Sequence, residues 1–372
     1  MNWQHDLNQL AEELIKAGKL SSARWVDAFT QVPRHVFVPR FWLQDKNGWR
    51  QVEASSDEGW EAVYSNRGLF TALDDNQLGI SSSSMPSLMT RMLEALDIQR
   101  GHRVLEIGTG TGYNAALLST FLGDGDVYSI DIDFVGTAAQ RLASIGLQPT
   151  LATRDGREGF PEAAPFDRIM ATCAVSSIPL TWVEQLTPDG MILADLKTGR
   201  CAGNLVLLHR LGPEHAEGRF VSGWADFMQM RTGTTADVPA TGQADDHGQP
   251  ECSTTRITGR PWAHTVPWFL ASFRLPAGTG FGMRIREGET WWTITSPDGS
   301  RAEVRDIDTG QDRDVLQFGP HRLWDDIETA FDEWEKAGTP DWDRFGFTVE
   351  PGAQVVWCLD TDQSWKVESG TS

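Results

Sequence analysis

Residues 104–118 read Val-Leu-Glu-Ile-Gly-Thr-Gly-Thr-Gly-Tyr-Asn-Ala-Ala-Leu-Leu. A short apolar run leads into three alternating glycines, Gly108, Gly110 and Gly112, and a helix-forming run follows at once. This order predicts a strand, a tight turn and a helix. Glycine permits positive φ and lets the backbone approach a ligand closely. A strand that must continue directly into a helix commits the chain to an α/β arrangement with a mostly parallel sheet covered on both faces. Further strands are predicted at 103–107, 126–131, 167–172, 190–196, 204–209 and 219–222. The last two are expected to pair as an antiparallel edge.

The glycine spacing narrows the ligand. Dinucleotide folds use Gly-x-Gly-x-x-Gly to seat a pyrophosphate on a helix N-terminus. Here the spacing is Gly-x-Gly-x-Gly, and Glu106 stands two residues before the first glycine. That pattern resembles class I S-adenosylmethionine-dependent methyltransferases, whose Rossmann-like fold is the one expected. Their ligand carries an ammonium and no phosphate, so a carboxylate at Glu106 suits it. A tight βα turn without a ligand is the alternative. Asp131 ends the second predicted strand, 23 residues past Gly108, where an acid holds a ribose hydroxyl pair. It could instead cap the helix predicted from Phe134, although Asp133 is better placed for that.

Composition limits the function. The 372 residues carry a formal charge of −20, spread over both halves, with 40% apolar residues. The acidity argues against a nucleic-acid partner. No run approaches the roughly 18 apolar residues of a membrane helix. Four scattered cysteines, Cys173, Cys201, Cys252 and Cys358, form no metal-ligand spacing or disulfide frame, so no metal and a cytoplasmic location are expected. Residues 231–256 read as a linker. Residues 257–372 read as a small α+β domain, leaving 1–230 as the catalytic domain. Nine of the 16 tryptophans follow residue 257. They could form a peptide-contact surface or fill the core of a small domain. Residues 40–60 read as irregular and polar.

A second chemical feature lies upstream. Ile80-Ser81-Ser82-Ser83-Ser84-Met85-Pro86 places four serines before a predicted helix over 86–96. Hydroxyls and amides there could hold a carboxylate; Ser84 could equally be a plain N-cap. With Val32-Pro33-Arg34, Phe37-Val38-Pro39, Tyr64-Ser65-Asn66, the glycine segment, Arg154-Asp155-Gly156 and Pro165-Phe166-Asp167-Arg168-Ile169, residues 1–230 resemble protein-L-isoaspartate O-methyltransferases. The resemblance implies that Ser84, flanked by Ser82 and Ser83, contacts the acceptor. Glu106, Gly108, Thr109, Gly110, Gly112 and Tyr113 would line S-adenosylmethionine, which leaves as S-adenosylhomocysteine. Asp131 with Ile132 would hold the ribose, and Asp155 with Gly156 would sit by the adenine. Ser87 departs from the family's histidine, residues 41–60 look inserted, and the C-terminal domain is additional. This combination resembles the homologues that tailor ribosomal peptides, graspetides above all or lanthipeptides.

The implied reaction needs no general base. An aspartate carboxylate is ionised at neutral pH, with a reference pKa of about 4, and is already a nucleophile. Alignment of the reactants is the main requirement, and contributes up to roughly 7–11 kcal/mol. The resulting ester is open to attack by the next backbone nitrogen, giving a succinimide (aspartimide) or, after hydrolysis, isoaspartate. The expectation is therefore an O-methyltransferase acting on an aspartate of a modified, macrocyclic precursor peptide, with residues 257–372 cradling it. A protein-L-isoaspartate repair enzyme is the alternative. A non-catalytic peptide-binding partner of a maturation complex is the reading from another class.

Overall fold

The computed structural model describes residues 1–46, 48–231, 249–307 and 312–367. The amphipathic helix Trp3–Lys16 buries Leu7, Leu10, Ala11 and Leu14, the three- and four-residue spacing of one helical face. Strands β1 (Arg40–Asp45), β2 (Gly48–Glu53), β3 (Leu69–Leu73) and β4 (Gly79–Ser83) form an antiparallel sheet in the order β2-β1-β3-β4. Residues 40–60 are thus not irregular: they hold a hairpin and the start of helix Asp57–Val63. Phe41 and Val52 are buried, which gives this polar stretch one apolar face.

The central sheet begins with β5 (Val104–Ile107), β6 (Val127–Asp131), β7 (Thr150–Thr153), β8 (Phe166–Val175) and β9 (Leu186–Gly199), all parallel. β10 (Ala202–Gly212) and β11 (His215–Phe220) follow antiparallel. Alternate residues feed two apolar layers. Leu105, Ile107, Ile169 and Ala171 face one; Val104, Val127 and Met170 face the other. This is the class I methyltransferase arrangement.

The C-terminal region differs from expectation in two ways, and on a third point the structure decides between the two open readings. Of the expected linker, 232–248 lie outside the described residues, and Glu251–Thr255 form a strand, β12. It pairs with β16 (Arg313–Phe318) in a five-stranded sheet that also holds β13 (Gly280–Arg286), β14 (Glu289–Thr295) and β15 (Arg301–Arg305). Next, β17 (Phe345–Glu350), β18 (Ala353–Cys358) and β19 (Ser364–Lys366) continue the central sheet beyond β11. The antiparallel pair β10–β11 is therefore not an edge. Finally, none of the nine late tryptophans is exposed. Trp268, Trp324 and Trp342 share a core with Ile169 and Leu186 of the central sheet, so they fill the interior.

Candidate active site

The glycine turn sits at the carboxyl ends of β5 and β6, where α/β sheets bind ligands. Gly108 has φ +100° and Gly110 φ +50°. A Cβ on Gly108 would come 2.8 Å from Thr172 Oγ1, so only glycine lets the turn lie this close to β8. Thr172 in turn donates to the Gly108 carbonyl at 2.7 Å. Asp131 Oδ2 accepts the Gly110 amide at 2.9 Å. Gly112 is the left-handed cap before helix Tyr113–Leu122; it packs against Ala138 and does not line the cleft.

Glu106 lies under this turn with no exposed surface. Asn114 Nδ2 donates to Oε1 at 2.8 Å and Ser129 Oγ to Oε2 at 2.6 Å. With the Ser129 proton used there, Thr109 donates to Ser129, 2.7 Å away. Burial pushes the carboxyl up to about 7, because desolvation disfavours the charged form. Glu106 thus braces the turn from behind and also lines the cleft floor, as a buried carboxyl rather than a surface carboxylate.

The serine run reaches the cleft by a route the sequence did not show. Ser81, Ser82 and Ser83 lie on β4, and Met85 is the N-cap of helix Pro86–Ala95, without a side-chain cap bond. Ser84 is therefore not a capping residue. Ser83 is buried and its hydroxyl accepts from Arg34 Nε at 3.3 Å. Ser82 and Ser84 are half-buried and line the cleft, and their hydroxyls have no partner among the described residues. The structure thus separates two hydroxyls free for a ligand from one committed to the scaffold.

Asp131, Ile132, Thr109, Tyr113 and Gly156 line the same cleft. A Cβ on Gly156 would meet Ile107 and Met230, each at 2.7 Å. Asp155 does not line it; its carboxylate caps the Arg157 amide at 2.9 Å and pairs with the Arg157 guanidinium at 2.7 Å. Asp133 is no helix cap either: helix Val135–Ser144 is capped by Phe134, and Asp133 pairs with Arg231 at 2.6 Å.

Sequence reasoning missed the segment Met228–Arg231, which closes one side of the cleft. The Met228 carbonyl and the Met230 amide both bond to Ala174 of β8. The Phe227 amide donates to buried Asp195 at 2.8 Å, and Lys197 bridges Asp226 and the Phe227 carbonyl. Cys173 also lines the cleft, but burial raises its thiol to about 12, so it is no nucleophile at neutral pH.

The cleft holds about 850 Å³ of space, counting the part open to solvent. A glycine floor that admits close approach, an acid at the end of β6 and the buried Glu106 carboxyl fit a cationic nucleoside such as S-adenosylmethionine. Among the described residues no cluster could hold a metal, and no helix is long and apolar enough to cross a membrane.

Comparison with known proteins agrees. Residues 5–216 match the protein-L-isoaspartate(D-aspartate) O-methyltransferase family. The protein-L-isoaspartate O-methyltransferase of Methylorubrum populi is 39% identical over 216 residues, covering 56% of this chain and 87% of the relative. That of Ignicoccus hospitalis is 30% identical over 192 residues, covering 50% and 79%. A solved protein-L-isoaspartate O-methyltransferase aligns over 94% of this chain and 98% of its own, with 22% identity and a TM-score of 0.56; this likeness is one of fold. The chain belongs to the protein-L-isoaspartate O-methyltransferase family and is a protein carboxyl methyltransferase that uses S-adenosylmethionine.

Proposed function

We propose that the protein esterifies the free carboxylate of isoaspartyl residues in peptides and proteins, the first step of their repair. The observation that carries this reading is one cleft bounded on one side by the glycine turn and Asp131 and on the other by the unpartnered hydroxyls of Ser82 and Ser84. When bound, S-adenosylmethionine supplies an electrophilic methyl group on a sulfonium. Asp131 would accept hydrogen bonds from the ribose hydroxyls while it holds Gly110. Gly156 lets Ile107 and Met230 close on it, and so shapes the wall that the donor would meet. Ser82 and Ser84 donate to the acceptor carboxylate and orient it, and take no proton from it. Ester formation then lets the following backbone nitrogen close a succinimide and expel methanol.

The sequence features that pointed to a dedicated modified peptide do not require one. Ser87, standing where the family has histidine, is buried, and its amide bonds to Asn66 at 2.9 Å. It does not line the cleft. The C-terminal region is matched in fold by a solved member of the family. Its proposed role is structural, as the continuation of the catalytic sheet.

The test offers labelled S-adenosylmethionine and two peptides identical except for one isoaspartyl or one aspartyl linkage. Label is expected on the isoaspartyl peptide alone. Equal labelling of both, or labelling confined to a macrocyclic precursor peptide, would refute the repair reading.

A further inference from the structure

We infer that Arg34 is a positioning residue for the acceptor carboxylate, acting through the backbone of Ser83 and Ser84. This rests on the carboxyl-methylation reading above. Arg34 follows Pro33 at the start of the short helix Arg34–Phe37 and is completely buried. Its guanidinium donates to the carbonyls of Val63 at 3.0 Å, Ser65 at 3.2 Å and Arg67 at 2.8 Å. On the cleft side it donates to the Ser83 carbonyl at 3.2 Å, the Ser84 carbonyl at 3.1 Å and the Ser83 hydroxyl at 3.3 Å. The ring of Tyr113, which lines the cleft, lies 5.9 Å from the guanidinium carbon.

All six acceptors are neutral. The hydrogen bonds are satisfied, but the charge has no carboxylate partner among the described residues. A buried charge without a counterion is costly. Burial lowers the guanidinium to about 10, which leaves it cationic at neutral pH. An anion in the adjoining cleft would compensate it, and the cleft wall it supports is the one that carries Ser82 and Ser84.

The distance is chemically apt. Methyl transfer neutralises the acceptor carboxylate. A guanidinium bonded directly to it would occupy the attacking lone pairs and lose its partner as the reaction proceeds. One peptide layer back, the charge favours entry of the ionised carboxylate without blocking it. The bonds to the Ser83 and Ser84 carbonyls also polarise those peptide units. The amides of Ser84 and Met85, at their other ends, become stronger donors. The same fork ties residues 63–67 to 83–84, and so fixes where the serine hydroxyls stand.

The test uses the full-length protein with Arg34→Met and Arg34→Lys, an isoaspartyl peptide as acceptor, and calorimetric titration of S-adenosylhomocysteine. Arg34→Met is expected to raise the peptide KM about tenfold or more, while S-adenosylhomocysteine affinity stays near that of the wild type. Arg34→Lys, which keeps the charge, should restore a large part of that loss. An unchanged peptide KM in Arg34→Met, or equal impairment of both variants, would overturn the inference. If Arg34→Met does not fold, Arg34→Gln takes its place: a raised peptide KM with S-adenosylhomocysteine affinity retained supports the inference, and an unchanged KM refutes it. A wild type that methylates no isoaspartyl peptide would instead refute the function itself.

Discussion

Two serines that look alike in the sequence do different work once folded. Ser83 Oγ is held by Arg34, whereas Ser84 lines the cleft with a hydroxyl that has no partner among the described residues. Ser84→Ala should therefore lower kcat/KM for the isoaspartyl peptide by about tenfold or more and leave S-adenosylhomocysteine affinity nearly intact. Unchanged turnover would move the contact to Ser82. Glu106 gives a pH prediction. Its folded carboxyl is raised to about 7 from 4.5, so between those values the unfolded chain ionises while the native state holds its proton. Stability from this group is fully present below about 4.5 and is lost as pH rises through 7, on the order of 3 kcal/mol in all. Melting temperatures from pH 5 to 8 should fall more steeply in the wild type than in Glu106→Gln; parallel curves would contradict this. The glycine turn was legible in the sequence because strand, glycines and helix are contiguous, and Asp131 because it ends the next strand. Arg34 was not, because its cleft-side partners lie 49 and 50 residues away.

At the scale of elements, the cleft is made by one turn, one strand and one strap. The turn and its flanking strands follow from local pattern. β4 was hidden, because four serines in a row have no apolar alternation, and only pairing with β3 makes them a strand. The strap at 227–231 was hidden for a similar reason: Asp195 and Lys197, some thirty residues earlier, hold it in place. Its closeness to Gly156 can be tested. Gly156→Ala would place a Cβ 2.7 Å from Ile107 Cγ2 and Met230 Sδ. Overpacking of this kind costs about 1–3 kcal/mol. The substitution should lower the melting temperature and reduce the stabilisation that S-adenosylhomocysteine confers in a thermal-shift titration. A variant that melts and responds like the wild type would show that the strap can move aside freely.

For the whole molecule, the class of sheet was legible in the alternation of strands and helices, but its extent was not. A change in composition near residue 231 suggested a boundary, yet β17 to β19 return to the catalytic sheet, a long-range pairing that composition cannot reveal. Phe345, Phe347, Val349 and Val356 are buried there, and each such side chain contributes roughly 1.5–3 kcal/mol. A fragment of residues 1–230 would expose the β11 edge along with the apolar surface these residues cover. It is expected to be insoluble or to lack a cooperative thermal transition; a soluble, cooperatively melting fragment would show that the catalytic sheet is complete without them. The most direct measurement is to incubate the full-length protein with S-adenosylmethionine and a pure isoaspartyl peptide, and to follow both linkage isomers by chromatography over many turnovers. The isoaspartyl form should decline and the aspartyl form accumulate, only when the methyl donor is present. An isoaspartyl peak that persists with donor present would contradict the assigned function.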